Sequence, residues 1–471
     1  MLTVAVAVLF AAHLIGGLGT GDAVTDETAA TLTLQGGRCL AALIVTLVLW
    51  ASGALPISVT SLGVLLLLPA LGLIPFSETV RIGFGDSLVA FLIGTFLLSA
   101  AVMRSGLGRR VVYLVLSKVG NRASTVIAAF LVTGALSAMW MTQVAAAAFL
   151  TPLAADVVGL GETPETDSRI ARGLLIACAW GPVIGGIGTP VGSSVNVISM
   201  KFLRDLAGID LSFTDWMAIG IPAMVLMLPV AWLLLIKAFH LGDKRMSPTI
   251  ETLGERLSAM GRMSPKELWT LAILSLTALL WIFGRSVEDF IGISIPMAAV
   301  PLLGGILTFV LEIMTWEEAQ ALIDWRCILL VVAGLPLGTS IYRTGAARWV
   351  GQLLFAGTSR LPLAPAGYIT CLLVSLVHLL IPSHAAVGSV LVPTVIAVTD
   401  QLSAPAQTVA MATAMSSSLA FVLVTSTPTL VIPYSTGRFT VKDMAGVGMV
   451  MSLVSAACVT ASLMLFGRLH T

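Results

Sequence analysis

Four short strings in an otherwise apolar chain carry residue types that bind ions and small solutes. They are Trp140-Met141-Thr142-Gln143-Val144, the run Gly185-Gly186-Ile187-Gly188-Thr189-Pro190-Val191-Gly192-Ser193-Ser194-Val195-Asn196, Ile381-Pro382-Ser383-His384-Ala385, and Thr425-Ser426-Thr427-Pro428-Thr429. Each lies inside a long uncharged stretch, where glycine, proline and hydroxyl residues interrupt a helix. An interrupted helix exposes N–H groups that attract anions and frees carbonyls that coordinate a small cation. This is binding chemistry rather than bond-making chemistry. Ser383 and His384 have the types of a nucleophile and a base, but the nearest charged residue in sequence is Asp400. A hydrolytic site also needs a paired acid and an oxyanion hole, so no enzyme is expected.

Each string has a plainer reading beside the functional one. A glycine-rich stretch in a membrane helix also serves as a close-packing face. The second string is denser than packing requires, with glycines at 185, 186, 188 and 192 and hydroxyls at 189, 193 and 194, which favours a binding loop. Gln143 alone also suits a polar contact between helices. An ionisable residue in an apolar run is a functional candidate by default, which singles out His384. Its plainer role is a neutral histidine hydrogen-bonded between helices. His378 reads as a packing residue.

The elements that must position these strings are membrane helices. The chain has 471 residues, 57% of them hydrophobic and only 10% charged, against roughly 25% charged in soluble domains. A water-soluble surface of this size cannot be covered by so few charges. A net charge of +1 excludes a nucleic-acid binder held by phosphate contacts. Cys39, Cys178, Cys327, Cys371 and Cys458 are far apart and show neither metal-ligand spacing nor a disulfide framework. Charge-free stretches fall at 2–18, 39–74 (interrupted at Ala54-Leu55-Pro56), 123–155, 173–200, 216–236, 268–284, 290–311, 361–399, 401–437 and 444–467. At about 20 residues per span, these give about eleven crossings. The stretch 2–18 reads as a retained helix rather than a signal peptide. The compact chain without a targeting extension points to a bacterial inner membrane.

Two apolar segments are shorter than a span. Residues 87–103 and 327–342 are each flanked by charge and read either as re-entrant hairpins or as tilted, shortened spans. The segment from Lys237 to Glu267 is the longest polar one and carries six basic residues: Lys237, Lys244, Arg245, Arg256, Arg262 and Lys266. By the positive-inside rule it is cytoplasmic. The expected organisation is an N-terminal helix and loop at 1–38, a first repeat at 39–236, this linker at 237–267, and a second repeat at 268–471.

The two repeats align at a nearly constant offset. Pro56 pairs with Pro296 and Glu78 with Glu318, both 240 apart; Arg104-Ser105-Gly106 and Arg109 match Arg343-Thr344-Gly345 and Arg348 at 239. Thr142-Gln143-Val144 with Pro152 faces Ser383-His384-Ala385 with Pro393 at 241, and Thr189-Pro190 faces Thr427-Pro428 at 238. If each copy crosses the membrane an odd number of times, the copies are upside down relative to each other. Inverted repeats with broken helices at the midplane are the design of secondary transporters.

At these residues the chain resembles the divalent anion/sodium symporter family, carriers of dicarboxylates, citrate or sulfate. The resemblance covers nearly the whole length. It includes Trp50 through Ala54-Leu55-Pro56 and Val59-Thr60, then Phe91-Leu92-Ile93-Gly94 and Arg104-Ser105-Gly106-Leu107. It continues through Met139-Trp140, Ile184-Gly185-Gly186, Gly188-Thr189, Asn196 and Ser426-Thr427-Pro428. It implies an elevator-like homodimer with a scaffold and a mobile domain holding two hairpins. The implied substrate contacts are Thr142, Gln143, Val144, Thr189, Pro190, Ser383, His384, Ala385, Thr427 and Pro428. The implied ion contacts are Ala138, Thr142, Gln143, Gly188, Ser383, His384 and Ser426. The family signature, Ser-Asn-Thr once per half, is altered here to Thr142-Gln143-Val144 and Ser383-His384-Ala385. Both threonines are absent, which removes two hydroxyl donors. Imidazole is a poor sodium ligand and a good proton acceptor, so coupling to protons, or to one sodium rather than two, is an expectation of this departure.

The function expected is secondary transport of a small anion (a di- or tricarboxylate, sulfate or another oxyanion) driven by sodium or protons. Little fixed positive charge lies in the four strings, so no arginine clamp is expected. No nucleotide-binding glycine-lysine motif is present, so an ion gradient rather than ATP is the expected driving force. No cofactor is expected beyond a sodium coupling ion. The rivals are an ion antiporter of the arsenite- or proton-exchange type and a non-transporting sensor on the same fold.

Overall fold

The computed structural model describes residues 32–158, 165–242, 257–292, 295–355, 361–398 and 406–467. The candidate helix at 2–18 lies outside them. Among the described residues the regular elements are helices, with no strand. Before the linker run α1 (Leu34–Ser52), α2 (Ile57–Ala70), α3 (Phe76–Gly83), α4 (Ser87–Ser105), α5 (Leu107–Ser117), α6 (Ala123–Ala138), α7 (Gln143–Val158), α8 (Glu165–Gly185), α9 (Ser194–Ala207) and α10 (Phe213–Ala238). After it run α11 (Pro265–Ile291), α12 (Ala299–Val310), α13 (Trp316–Leu322), α14 (Trp325–Arg343), α15 (Ala346–Phe355), α16 (Leu363–Val377), α17 (His384–Ile396), α18 (Ala406–Ser416), α19 (Pro428–Tyr434) and α20 (Val441–Phe466).

Among the described residues, six stretches are long and apolar enough to cross a membrane: α1, Phe76–Ser105, α10, Pro265–Gly284, α14 and α20. Six further apolar helices, α2, α6, α7, α12, α16 and α17, are 10–17 residues long, short of the about 20 a span needs. The charge-free stretches thus divide into full-length helices and shorter pieces, and the site-bearing helices α7 and α17 are among the short ones.

The hairpins expected at 87–103 and 327–342 are not there. Each segment lies within a single 19-residue helix, α4 or α14, with no turn inside it. The flanking charges have another role, as helix caps. Asp86 Oδ1 accepts from the Leu88 N–H at 2.9 Å, and Asp324 Oδ1 from the Cys327 N–H at 3.2 Å. A carboxylate at that position satisfies an orphan donor and complements the helix dipole. Consecutive short helices joined by a few residues occur instead at α6–α7, through 139–142, and at α16–α17, through 378–383.

Packing crosses between the halves in matched pairs. Helix α4 packs on α12 while α14 packs on α2; α7 meets α19 while α9 meets α17; and α10 lies along α20. At the first of these contacts Gly94 abuts the backbone of Pro301 and Leu302, where a Cβ has no room. The linker is tied down by Arg110 of α5. Its guanidinium donates to Glu267 Oε1 at 2.7 Å and Oε2 at 3.0 Å, and to the Gly261 carbonyl at 2.9 Å. Glu267 in turn closes a capping box with Ser264 at the start of α11.

Candidate functional site: a cavity where four helix breaks meet

A hydroxyl residue shapes each break. Thr142 precedes α7, and its Oγ1 accepts from the Ala145 N–H at 3.3 Å; Ser383 is extended before α17 and its Oγ accepts from Ala386 N–H at 3.3 Å. After α8, Thr189 opens the single turn Pro190–Gly192 by accepting from the Gly192 N–H at 3.3 Å. Thr427 opens α19, accepting from the Thr429 N–H at 3.4 Å. Pro428 follows at the first helical position, where its missing N–H costs nothing.

These breaks, distant in sequence, meet around one cavity of about 580 Å³. Thr142, Gln143 and Val144 line it together with Pro190, Gly192, Ser193 and Ser194, with Ser383, His384 and Ala385, and with Thr425, Thr427 and Pro428. The first turns of α7, α9, α17 and α19 therefore border the same space. Their partial positive charges add where a negative ligand would sit. An apolar wall of Trp50, Phe91, Leu92, Phe96 and Leu330 completes the cavity. Four of the expected residues, Ala138, Gly188, Thr189 and Ser426, are not on its lining. Thr189 and Ser426 use their hydroxyls behind it: Thr189 Oγ1 donates to the Met139 carbonyl at 2.6 Å, and Ser426 Oγ to the His378 carbonyl at 3.3 Å.

A buried polar cluster sits behind the first two strings. Gln143 is 3% exposed, and its Nε2 donates toward the carbonyls of Ser418 at 3.4 Å and Val183 at 3.5 Å. Asn196 is fully buried; its Nδ2 donates to the carbonyls of Gly186 at 2.7 Å and Thr189 at 2.8 Å, while Ser418 Oγ donates to its Oδ1 at 2.5 Å. The corresponding place in the second half holds nitrogen instead. His378 and His384 pack edge to face with ring centroids 5.2 Å apart. His378 Nε2 lies 3.1 Å from the Ser417 carbonyl, an acceptor only, so that nitrogen carries the proton. His378 Nδ1 and His384 Nε2 are both buried without a hydrogen-bond partner. His378 is thus packed as the sequence suggested, but its neighbour is the site histidine.

The glycines of the second string do two jobs. Gly185 lies on the backbone of Ala135, the close helix packing of the plainer reading. Gly186 leaves room for the Gln143 amide, and Gly192 sits where a Cβ would be 2.5 Å from the Gly186 carbonyl and 2.8 Å from that of Ala138. These carbonyls are oxygen donors of the kind a hard cation takes.

Two residues of the site escape a reading by local strings. Ser418 joins Gln143 to Asn196 across more than two hundred residues of sequence, and only a serine triplet within the charge-free stretch 401–437 marks it. Arg326 is the one lysine or arginine among the lining residues. Its side chain is largely exposed at the mouth, with Nε 3.4 Å from Asp324 Oδ1. It comes from the start of α14, a segment outside all four strings.

Known proteins match this chain over nearly all of it. The family model of the sodium:sulfate symporter transmembrane region matches residues 28–469. The sodium-dependent dicarboxylate transporter SdcS of Staphylococcus saprophyticus is 26% identical over 424 residues, covering 86% of this chain and 81% of its own. An uncharacterized transporter of Haemophilus influenzae is 29% identical over 431 residues, covering 88% of both. The solved structure of Neisseria gonorrhoeae MtrF, assigned to a class of antimetabolite efflux pumps, covers 98% of this chain and 94% of its own, with a TM-score of 0.54. At 11% identity it shares the fold alone.

Proposed function

The chain belongs to the sodium:sulfate symporter family, and from that premise we propose that it is a secondary transporter of a small multivalent anion coupled to sodium. It is a multi-pass membrane protein, and its characterised relatives are transporters, not enzymes. The observation that carries the proposal is the meeting of four helix N-termini on one cavity. Such ends bind anions through bare N–H groups without a fixed cation. The anion is a dicarboxylate or an oxyanion such as sulfate; the sodium-dependent dicarboxylate carrier among the relatives favours the former. Thr142, Ser193, Ser194, Ser383 and Thr427 supply hydroxyls among the lining residues, while Val144 and Ala385 contribute methyl groups.

Sodium is held in the first half, where carbonyls of Ala138 and Gly186 converge and Asn196 and Gln143 fix the loop. The second half offers bare imidazole nitrogen in place of an amide oxygen, so one sodium rather than two accompanies the anion. Transport runs by an elevator motion of the site-bearing helices α6–α9 and α16–α19 against the remaining body. The two repeats are inverted copies; the matched crossing of α4 with α12 and of α14 with α2 supports that reading. The assembly is a homodimer, as the resemblance implies.

The test is ligand stabilisation of the purified protein. A ligand that binds only the folded form raises Tm. Dicarboxylates, citrate, sulfate and sulfonates are each added with sodium or with choline. A rise that needs both an anion and sodium supports the proposal. No rise with any anion, at concentrations up to saturation of the assay, counts against it.

A further inference from the structure

A second cavity, of about 460 Å³, lies at the far end of the molecule from the mouth of the first. Helix α11 fixes the two ends. Lys266 at its start donates to the Ile313 carbonyl at 3.3 Å, so the segment leading to Asp324 and Arg326 sits at the linker end. Gly284 and Glu288 near its other end line the second cavity, with Asp86, Lys201 and Pro296. A helix of 27 residues is on the order of 40 Å long. Phe91, 2% exposed, lines both cavities. The two spaces thus share a wall at Phe91.

Two contacts lie beside Phe91 on the lining of the second cavity. Trp281 of α11 stacks on Phe213 at the start of α10, with centroids 4.6 Å apart and planes 10° from parallel. Lys201 of α9 reaches Asp86, the cap of α4, with Nζ 2.7 Å from Oδ2. Their side chains are only 15% and 13% exposed. Helix α9 packs chiefly on α17 and α18, whereas α4 packs on α12 and α11. The ion pair therefore joins two groups of helices that otherwise touch little at this point. At its other end the same α9 carries Ser194 on the substrate cavity and Asn196 in the polar cluster.

We propose that the second cavity is the access vestibule of the opposite membrane face, and that the Lys201–Asp86 ion pair is the latch separating it from the substrate cavity. This rests on the transporter reading and adds the residues that hold one access state shut. The pair is built to open. Lys201 keeps Asp205 one helical turn on, at 2.5 Å, and Asp86 keeps the Leu88 N–H at 2.9 Å. Neither ion is stranded when α9 withdraws, so the usual penalty for breaking a sheltered pair is avoided.

The experiment reads access to the site from each face. Val144→Cys places a thiol on the substrate cavity, and a membrane-impermeant maleimide is applied to spheroplasts or to inverted vesicles. The chain without Val144→Cys gives the background. Asp86→Asn keeps a good cap but removes the charge, and Lys201→Gln removes the other partner. Each is expected to speed labelling from the face opposite the linker by about threefold or more and to slow it from the linker face, as a population shift requires. The swap Asp86→Lys with Lys201→Asp is expected to return both rates toward the parent. Loss of the fold alone would not move the two faces in opposite directions. Unchanged labelling in both single variants overturns the latch, even if anion uptake is intact. Opposed changes in a chain that moves no anion keep the latch and defeat the transporter reading instead.

Discussion

Arg343 Nη1 lies 2.7 Å from Glu78 Oε1, joining the end of α14 to the start of α3 across 265 residues of sequence. The counterparts of these residues at the repeat offset are Arg104 and Glu318, and they too pair, at 3.6 Å between the end of α4 and the start of α13. Each half thus reaches into the other with the same two residue types. All four side chains are between 31% and 54% exposed, so the pairs fix register more than they add stability. Arg343→Ala is expected to lower Tm by less than about 2 °C. A larger drop in a melting curve of the purified protein contradicts this.

Arg110 and Glu267 make a different kind of pair. They are 10% and 3% exposed, and Arg110 also holds linker carbonyls at 260–262. Removing one partner of a sheltered pair strands the other. Arg110→Ala is expected to lower Tm by several degrees, well beyond the effect of Arg343→Ala. Equal effects of the two substitutions in parallel melts refute the distinction.

Gly192 has carbonyl oxygens where a side chain would go, at 2.5 and 2.8 Å from an added Cβ. Gly192→Ala is expected to cost about 1–3 kcal/mol through overpacking and to remove sodium-dependent anion binding. A calorimetric titration with sodium succinate that matches the parent sinks this expectation.

Asn196 donates two hydrogen bonds and accepts a third. Asn196→Ala leaves buried carbonyls unpartnered, at about 1–3 kcal/mol each. Asn196→Asp keeps the acceptor for Ser418 but loses the donors. Both are expected to weaken sodium binding before they weaken expression, and a sodium titration of Tm checks it.

His384 stands where an amide oxygen is expected to bind a second sodium. His384→Asn is expected to raise the Hill coefficient for sodium from about one toward two, as an added binding site requires. Uptake measured against sodium at two pH values decides it. A coefficient and a pH dependence both unchanged remove histidine from the coupling.

Three of the breaks were legible because Thr189-Pro190, Pro382-Ser383 and Thr427-Pro428 each set a proline beside a hydroxyl that can cap the turn after it, and all three fall at helix boundaries. The position of the short paired helices was not. The turn at 139–142 contains methionine, tryptophan and threonine but no glycine, proline or charge, so the Trp140–Val144 string marks a break within 123–155 without giving the bounds of the two helices it joins. Asp86 misled in the opposite direction, because a capping carboxylate and a charge at a membrane boundary look alike in sequence. Ser418 and Arg326 were hidden for a third reason. Their partners are distant in the chain, and no local pattern records a contact made by the fold.

The most direct test is uptake into proteoliposomes with an inward sodium gradient, using labelled succinate, citrate and sulfate in turn, with potassium replacing sodium as the control. At least one of these anions is expected to accumulate with sodium and not with potassium, and Gly192→Ala is expected to abolish the difference. A folded protein that accumulates none of them, or accumulates them equally in both salts, contradicts the account of a sodium-coupled anion site at the four helix ends.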